Sequence, residues 1–190
     1  MTEAQHDREQ AAQLPEGDVV AVLLEQHARI RELFAEVKAA PDHARAEVFD
    51  RLRALLAVHE TSEELVLRPA ADDDAWKQVA DARNAEEKEA NEVLARLEDL
   101  DPATESFMSQ LEAFEKAVDQ HAEAEETQEF PQVLAACDQE QRQKMGERLL
   151  SVQKMAPTHP HPSAAGSPVA QALTGPFAAM ADRVKDALSR

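Results

Sequence analysis

Cysteine is nearly missing from the sequence: Cys137 stands alone in 190 residues, which excludes an intramolecular disulfide and a thiolate metal cluster and fits a reducing compartment. Tyrosine is absent, all aromatics together make up 4%, and there are only 4 glycines, so the residues that favour strands and tight turns are scarce. Positive charge is short as well. The 20 basic side chains face 38 acidic ones, a formal net charge of -18 that repels phosphate backbones and anionic lipid surfaces. Nucleic acid and membrane are therefore not expected as partners, and most of the acidic excess reads as solvated surface. No stretch approaches the roughly 18 apolar residues of a membrane span. The first residues, "MTEAQHDREQAAQLPEGDVV", show neither a basic start nor an apolar core of a signal peptide, so a cytoplasmic protein is expected.

What is abundant is Ala, Leu, Glu, Gln and Arg, all strong helix formers, in a chain that is 43% hydrophobic. An all-α fold with one globular core follows. Asp18 caps a first helix whose Val19, Leu23, Ile30, Leu33, Phe34 and Val37 recur at helical spacing up to Pro41. A second runs from about Asp42 to Leu67, before Pro69; a third from "DDDAW" to Pro102; a fourth from there to Pro131. Short connections force sequence neighbours to pack side by side, which predicts an up-down-up-down antiparallel four-helix bundle. A further helix is expected at about residues 138 to 154. The chain thus divides into a flexible lead (1–13), the bundle with its fifth helix (14–155), and a Pro- and Ala-rich linker with an amphipathic end (156–190), where Phe177, Met180, Val184 and Leu188 share one side.

"HETSEELVLRP" at residues 59–69 returns as "HAEAEETQEFP" at 121–131. His59 and Glu63 match His121 and Glu125, Glu64 matches Glu126, and Pro69 matches Pro131. H-x-x-x-E on a helix puts both side chains on one face, one turn apart. On the fourth helix that face continues the stripe Phe107, Leu111, Phe114, Val118, so imidazole and carboxylate fall where hydrocarbon is expected. A lone His in such a place is more often a hydrogen-bonded core residue than a ligand. Two symmetric pairs point elsewhere, because a buried carboxylate needs a basic partner or a metal ion, and neither stripe offers a Lys or Arg in register. The same register places His27 inward on the first helix and Glu87 inward on the third. Three imidazoles and three carboxylates suit two iron or manganese ions better than one zinc ion, which usually stops at four ligands.

In order, spacing and register across four helices, "QHARIRELF", "HETSEE" with its Pro and "HAEAEE" with its Pro, the chain resembles the hemerythrin-like (HHE cation-binding) family over about residues 14 to 135. That pattern is a His on the first helix, H-x-x-x-E on the second, a His on the third, and H-x-x-x-E or H-x-x-x-x-D on the fourth. The resemblance implies a non-haem site of two iron ions, bridged by oxide or carboxylate, with oxygen, nitric oxide or peroxide as small ligands. It implies that His27 and His59 bind one ion, His121 the other, and that Glu63 and Glu125 bridge them. Glu87 departs from the pattern, which usually has His there. Either it ligates in place of His, or it leaves a weak second site, or Asn84 or Asn91 substitutes.

An anionic oxygen donor in place of an imidazole favours the ferric state, so reversible oxygen carriage is less expected than a site that oxidises readily. The chain is then a di-metal protein handling oxygen, nitric oxide, peroxide or iron, or a di-iron catalase or oxidase, or a metal-free helical interaction module. It is expected to be monomeric. Glu60 lies about 100° from the His59 direction and is left outside the ligand set. Lys88, His6 and His43 read as surface residues, His159 and His161 as part of an exposed linker, and Cys137 as a helix-start residue.

Overall fold

In the computed structural model, which describes residues 1–70, 74–154 and 158–159, every regular element is helical. The N-terminal lead is not the flexible segment expected. Thr2 and Gln5 form a capping box that starts α1 (Glu3–Ala11), and the fully buried carboxylate of Asp7 pairs with Arg31 on the next helix. One buried ion pair and two buried alanines, Ala4 and Ala11, thus dock a helix with little apolar surface of its own.

Asp18 accepts a hydrogen bond from the Val20 N–H at 3.1 Å and opens α2 (Val19–Ala39). Pro41 ends that helix and serves as the extended residue before α3 (Asp42–Val66). A single tight turn, Arg68–Ala70, follows. Then come α4 (Asp74–Glu98) and α5 (Glu105–Ala124), the latter started by the Thr104 hydroxyl, which accepts from the Phe107 N–H. Pro131 does not end the fourth long helix as expected. Residues Glu125–Glu129 form one wide turn in which the Phe130 N–H donates to the Glu125 carbonyl five residues back. That turn absorbs the missing donor of Pro131, and α6 (Phe130–Ala136) continues with the proline in its first turn, where it is tolerated. Cys137 closes α6 instead of opening a helix, and Asp138 with Gln141 caps α7 (Gln139–Gln153).

Helices α2 to α5 form the bundle, with α1 packed on α2, and α7 against α2 and α3. Two apolar clusters fill its ends. Ile30, Phe34, Leu52, Leu56, Leu94, Leu97, Leu111 and Phe114 belong to one. Leu23, Leu24, Val66, Leu67, Trp76, Phe130 and Leu149 belong to the other. Between them lies a polar layer, since along each helix the inward groups fall between a residue of one cluster and a residue of the other. Among the described residues no helix is long and apolar enough to cross a membrane.

Helix α7 touches the loop before α2 through backbone. A Cβ at Gly146 would collide with the Gly17 carbonyl oxygen and lie 3.2 Å from the Val19 nitrogen. Gly146→Ala is therefore expected to lower stability by about 1–3 kcal/mol, read as a lower urea midpoint with an unchanged slope. An unchanged midpoint would mean that α7 can slide without loss.

Candidate metal centre

The polar layer gathers all six candidate residues. His27 comes from α2, His59 and Glu63 from α3, Glu87 from α4, His121 from α5 and Glu125 from the first position of the wide turn. Their donor atoms form two quartets, each within 4.8 Å: His27, His59, Glu63, Glu125 and Glu63, Glu87, His121, Glu125. Glu63 and Glu125 belong to both. Asn84 and Asn91 belong to neither; the Asn91 amide donates to Glu60 and, at 3.1 Å, to the Glu87 carbonyl. Glu60 is buried but stands outside both quartets, on the wall of an adjoining cavity.

Each imidazole is held by its outer nitrogen. His27 Nδ1 lies 2.7 Å from Glu126, His59 Nδ1 2.8 Å from the Gln26 side-chain oxygen and His121 Nδ1 2.8 Å from Glu86. All three partners are oxygen acceptors, so each Nδ1 carries the proton and each Nε2 faces the layer. Such outer hydrogen bonds fix ring orientation and raise the basicity of the inner nitrogen toward a cation. A longer chain stands behind His27, where Glu126 is 3.2 Å from Arg31, which in turn grips Asp7 on α1.

The inner atoms are short of partners. His27 Nε2, His121 Nε2, both Glu63 oxygens, Glu87 Oε2 and Glu125 Oε2 are buried and lack a hydrogen bond among the described residues. His27 Nε2 and His121 Nε2 come to 3.2 Å of Glu125 oxygens, within ion-pair range but poorly aligned for a hydrogen bond. Orphaned groups of this kind cost about 1–3 kcal/mol each, more when charged, unless a cation satisfies them. The donor set, imidazole and carboxylate with no thiolate, fits a transition metal of the iron or manganese kind.

Protonation follows the same geometry. Burial and the charge on His27 push His59 down to about 3, which leaves its Nε2 as a neutral donor. Burial works against charge on His27 and His121 too, but carboxylates outweigh it, Glu125 and Glu126 around His27 and Glu125 and Glu86 around His121, and both bases are raised. Glu125 is held well below the usual range despite burial, by His121, His27 and Arg68. Burial and neighbouring carboxylates push Glu63 well up, and burial chiefly carries Glu87 to about 8.

Because Glu87 holds its proton more tightly when folded, its contribution is present below its ordinary 4.5 and is lost as pH rises through about 8. In the metal-free protein, Glu87→Gln is therefore expected to match the native stability near pH 4 and to exceed it by on the order of 4 kcal/mol above pH 8. Parallel denaturation curves over that range check it; a constant offset would mean that Glu87 does not titrate in the fold.

Five functional neighbours lie outside the ligand set that the sequence suggests. Chief among them is Arg68, 5% exposed, whose guanidinium enters the layer from the tight turn after α3. It pairs with Glu87, with Glu125 at 2.9 Å and with Glu129 at 2.7 Å, so a basic partner that neither stripe offers in register reaches these carboxylates from the turn beyond α3. Glu129 is buried and Glu126 half-buried, and Gln26 and Glu86 complete the set. His159 is not on an exposed linker either; it is buried against Arg53 and Glu98. His161 and the amphipathic end lie outside the described residues. His6, His43 and Lys88 are exposed.

A cavity of about 520 Å³ is lined by residues of α2 to α5, apolar ones such as Ile30, Leu56, Val93 and Phe114 and charged ones such as Arg31, Glu89, Arg96 and Asp119. His27, His59, Glu60 and His121 also line it.

A helical bundle with His and Glu converging in two quartets, and a cavity beside them, defines a buried cation-binding centre of imidazole and carboxylate. The Hemerythrin HHE cation binding domain model matches residues 18–133, and the chain belongs to that family. An uncharacterized hemerythrin-like protein of Schizosaccharomyces pombe is 23% identical over 172 residues, covering 88% of this chain and 85% of the relative. No solved structure matches the chain.

Proposed function

We propose that the chain binds a pair of iron ions, one in each quartet, and uses them to bind or respond to oxygen, nitric oxide or peroxide, or to handle iron. Manganese is the other metal that the donor set suits. The observation that carries this is the overlap of the two quartets on Glu63 and Glu125, with inner atoms of both halves lacking hydrogen-bond partners. In this reading Glu87 is a ligand where the family more often has His.

Bound iron supplies redox chemistry and an open coordination position. The chain's own residues do the rest. Glu126, Gln26 and Glu86 hold the three rings by Nδ1, and the adjoining cavity gives a small ligand room beside them. The same cavity favours a second reading, a di-iron catalase- or oxidase-type enzyme, because it gives a substrate room beside the imidazoles. A metal-free interaction module accounts for the bundle but leaves the orphaned atoms without a purpose. The acidic surface and the self-contained core support a cytoplasmic monomer whose partner is a small molecule, with no role for nucleic acid or membrane.

The test is metal content by mass spectrometry on protein purified without a metal-affinity tag, followed by exposure of the reduced, loaded protein to oxygen, nitric oxide and peroxide. About two irons per chain and new absorption bands with one of these ligands are expected. Sustained peroxide turnover would favour the enzyme. A metal-free protein that takes up no iron would sink both readings.

A further inference from the structure

The two copies of the internal repeat differ at seven of their eleven positions, and two adjacent differences put a charged side chain in one copy opposite an apolar one in the other. With His59 on His121 and Pro69 on Pro131, Arg68 falls on Phe130 and Leu67 falls on Glu129. Leu67 and Phe130 are apolar core, the latter stacked on His27 with ring centroids 5.6 Å apart. These two charged residues, one from each copy of the repeat, meet in the layer at 2.7 Å between Arg68 Nη1 and Glu129 Oε2. Their pairing aims the other branch of the guanidinium, Nη2, at the centre.

That branch does not treat the two halves alike. It pairs with Glu87 Oε1 and, at 2.9 Å, with Glu125 Oε1, the oxygens that lie 3.8 Å and 3.2 Å from His121 Nε2. Glu125 Oε2, which faces His27 at 3.2 Å, is left alone, and Glu63 Oε2 is 3.8 Å from the guanidinium. The His27–His59 half keeps its carboxylate oxygens available; the His121 half has two of its oxygens engaged by a fixed positive charge.

We propose that Arg68, anchored by Glu129, is a built-in cation of the His121 half, so that the centre fills unequally. One ion enters the His27–His59 half first, and a second enters the His121 half only when the guanidinium yields Glu87 Oε1 and Glu125 Oε1. The inference rests on the two-ion reading above and adds the order and inequality of loading. Repulsion between a guanidinium and a divalent ion that share carboxylates, together with the hydrogen bonds to be given up, weakens the second step.

The experiment is an anaerobic equilibrium titration of the metal-free full chain with ferrous iron, bound metal being counted by mass spectrometry. The native chain is expected to bind in two steps, the second at least about tenfold weaker. In Arg68→Met/Glu129→Leu, which removes both members of the pair, the second step is expected to tighten by about tenfold or more and the first to stay. Circular dichroism reports whether that variant folds. If it does not, Arg68→Lys keeps the charge but cannot span Glu129 and the centre at once, and is expected to narrow the separation. Two equal steps in the native chain, or a separation that persists in the folded variant, would overturn the role of Arg68 while leaving the two-ion reading intact. No iron in either protein would overturn the two-ion reading and this inference with it.

Discussion

Glu125→Gln is expected to strip the centre of both ions, whereas Glu87→Gln removes only the one on the His121 side. Glu125 is one of the two carboxylates that both quartets share. Its Oε2 faces His27 Nε2 and its Oε1 faces His121 Nε2, each at 3.2 Å. The carboxylate is held ionised in the metal-free chain, against burial, by His121, His27 and Arg68. The amide is nearly the same size, but it is neutral, and one of its two oxygens becomes an NH₂ that cannot ligate. One half must lose its donor outright, and the other keeps only a neutral carbonyl. Losing an outer-sphere partner alone typically lowers metal affinity about 10–100-fold, so losing a shared inner carboxylate is expected to take bound iron from about two per chain to a small fraction of one. Glu87 enters only one quartet, so its amide variant is expected to retain about one ion. Metal content after dialysis against buffer free of iron decides the matter, with circular dichroism as the control for folding. Equal losses in the two variants would mean that Glu125 is not shared.

The six inward groups are legible in the sequence for a physical reason. Each interrupts an apolar stripe whose 3.6-residue period runs on either side of it, as with His27 between Leu23 and Ile30, so the interruption has a direction as well as a position. Where the period breaks, legibility ends. Arg68 lies beyond the last turn of α3, in a tight turn that no helical register reaches. Glu129 stands one turn after Glu125, so helical spacing does point it inward; what the sequence does not carry is the distant Arg68 that it meets there. Glu126 and Gln26 act on the outer nitrogen of a ring, so neither sits on a buried stripe. Helix α1 escapes for a different reason, since it is docked mainly by Asp7 on Arg31, 24 residues apart, and by two alanines rather than by an apolar face. In each case the missing information is a contact between distant segments, which periodicity within one segment does not carry.

Arg68→Met is expected to cost the metal-free protein about 3–5 kcal/mol near pH 7. The guanidinium is the common partner of Glu87, Glu125 and Glu129, all three fully buried at the side chain. Methionine fills similar space but leaves those carboxylates uncompensated. The loss should depend on pH in a definite direction. Glu63, Glu87 and Glu129 are already raised by burial above their ordinary 4.5, and Arg68 pulls each of them back down. Without it they rise further. A carboxyl raised in the folded chain stabilises below its unfolded value and loses that contribution as pH climbs to its folded value, so raising the folded value further adds to the loss only above it, and the deficit of Arg68→Met is expected to be smaller near pH 7 than above pH 8, where Glu87 of the native chain ionises. Urea denaturation of both metal-free proteins across that range measures it, and a deficit independent of pH would mean that Arg68 acts by packing alone. Iron should then close the gap, because an ion in the His121 half supplies the positive charge that the variant lacks. A variant less stable than the native chain when empty, yet close to it when loaded, is what a side chain standing in the place of a cation requires.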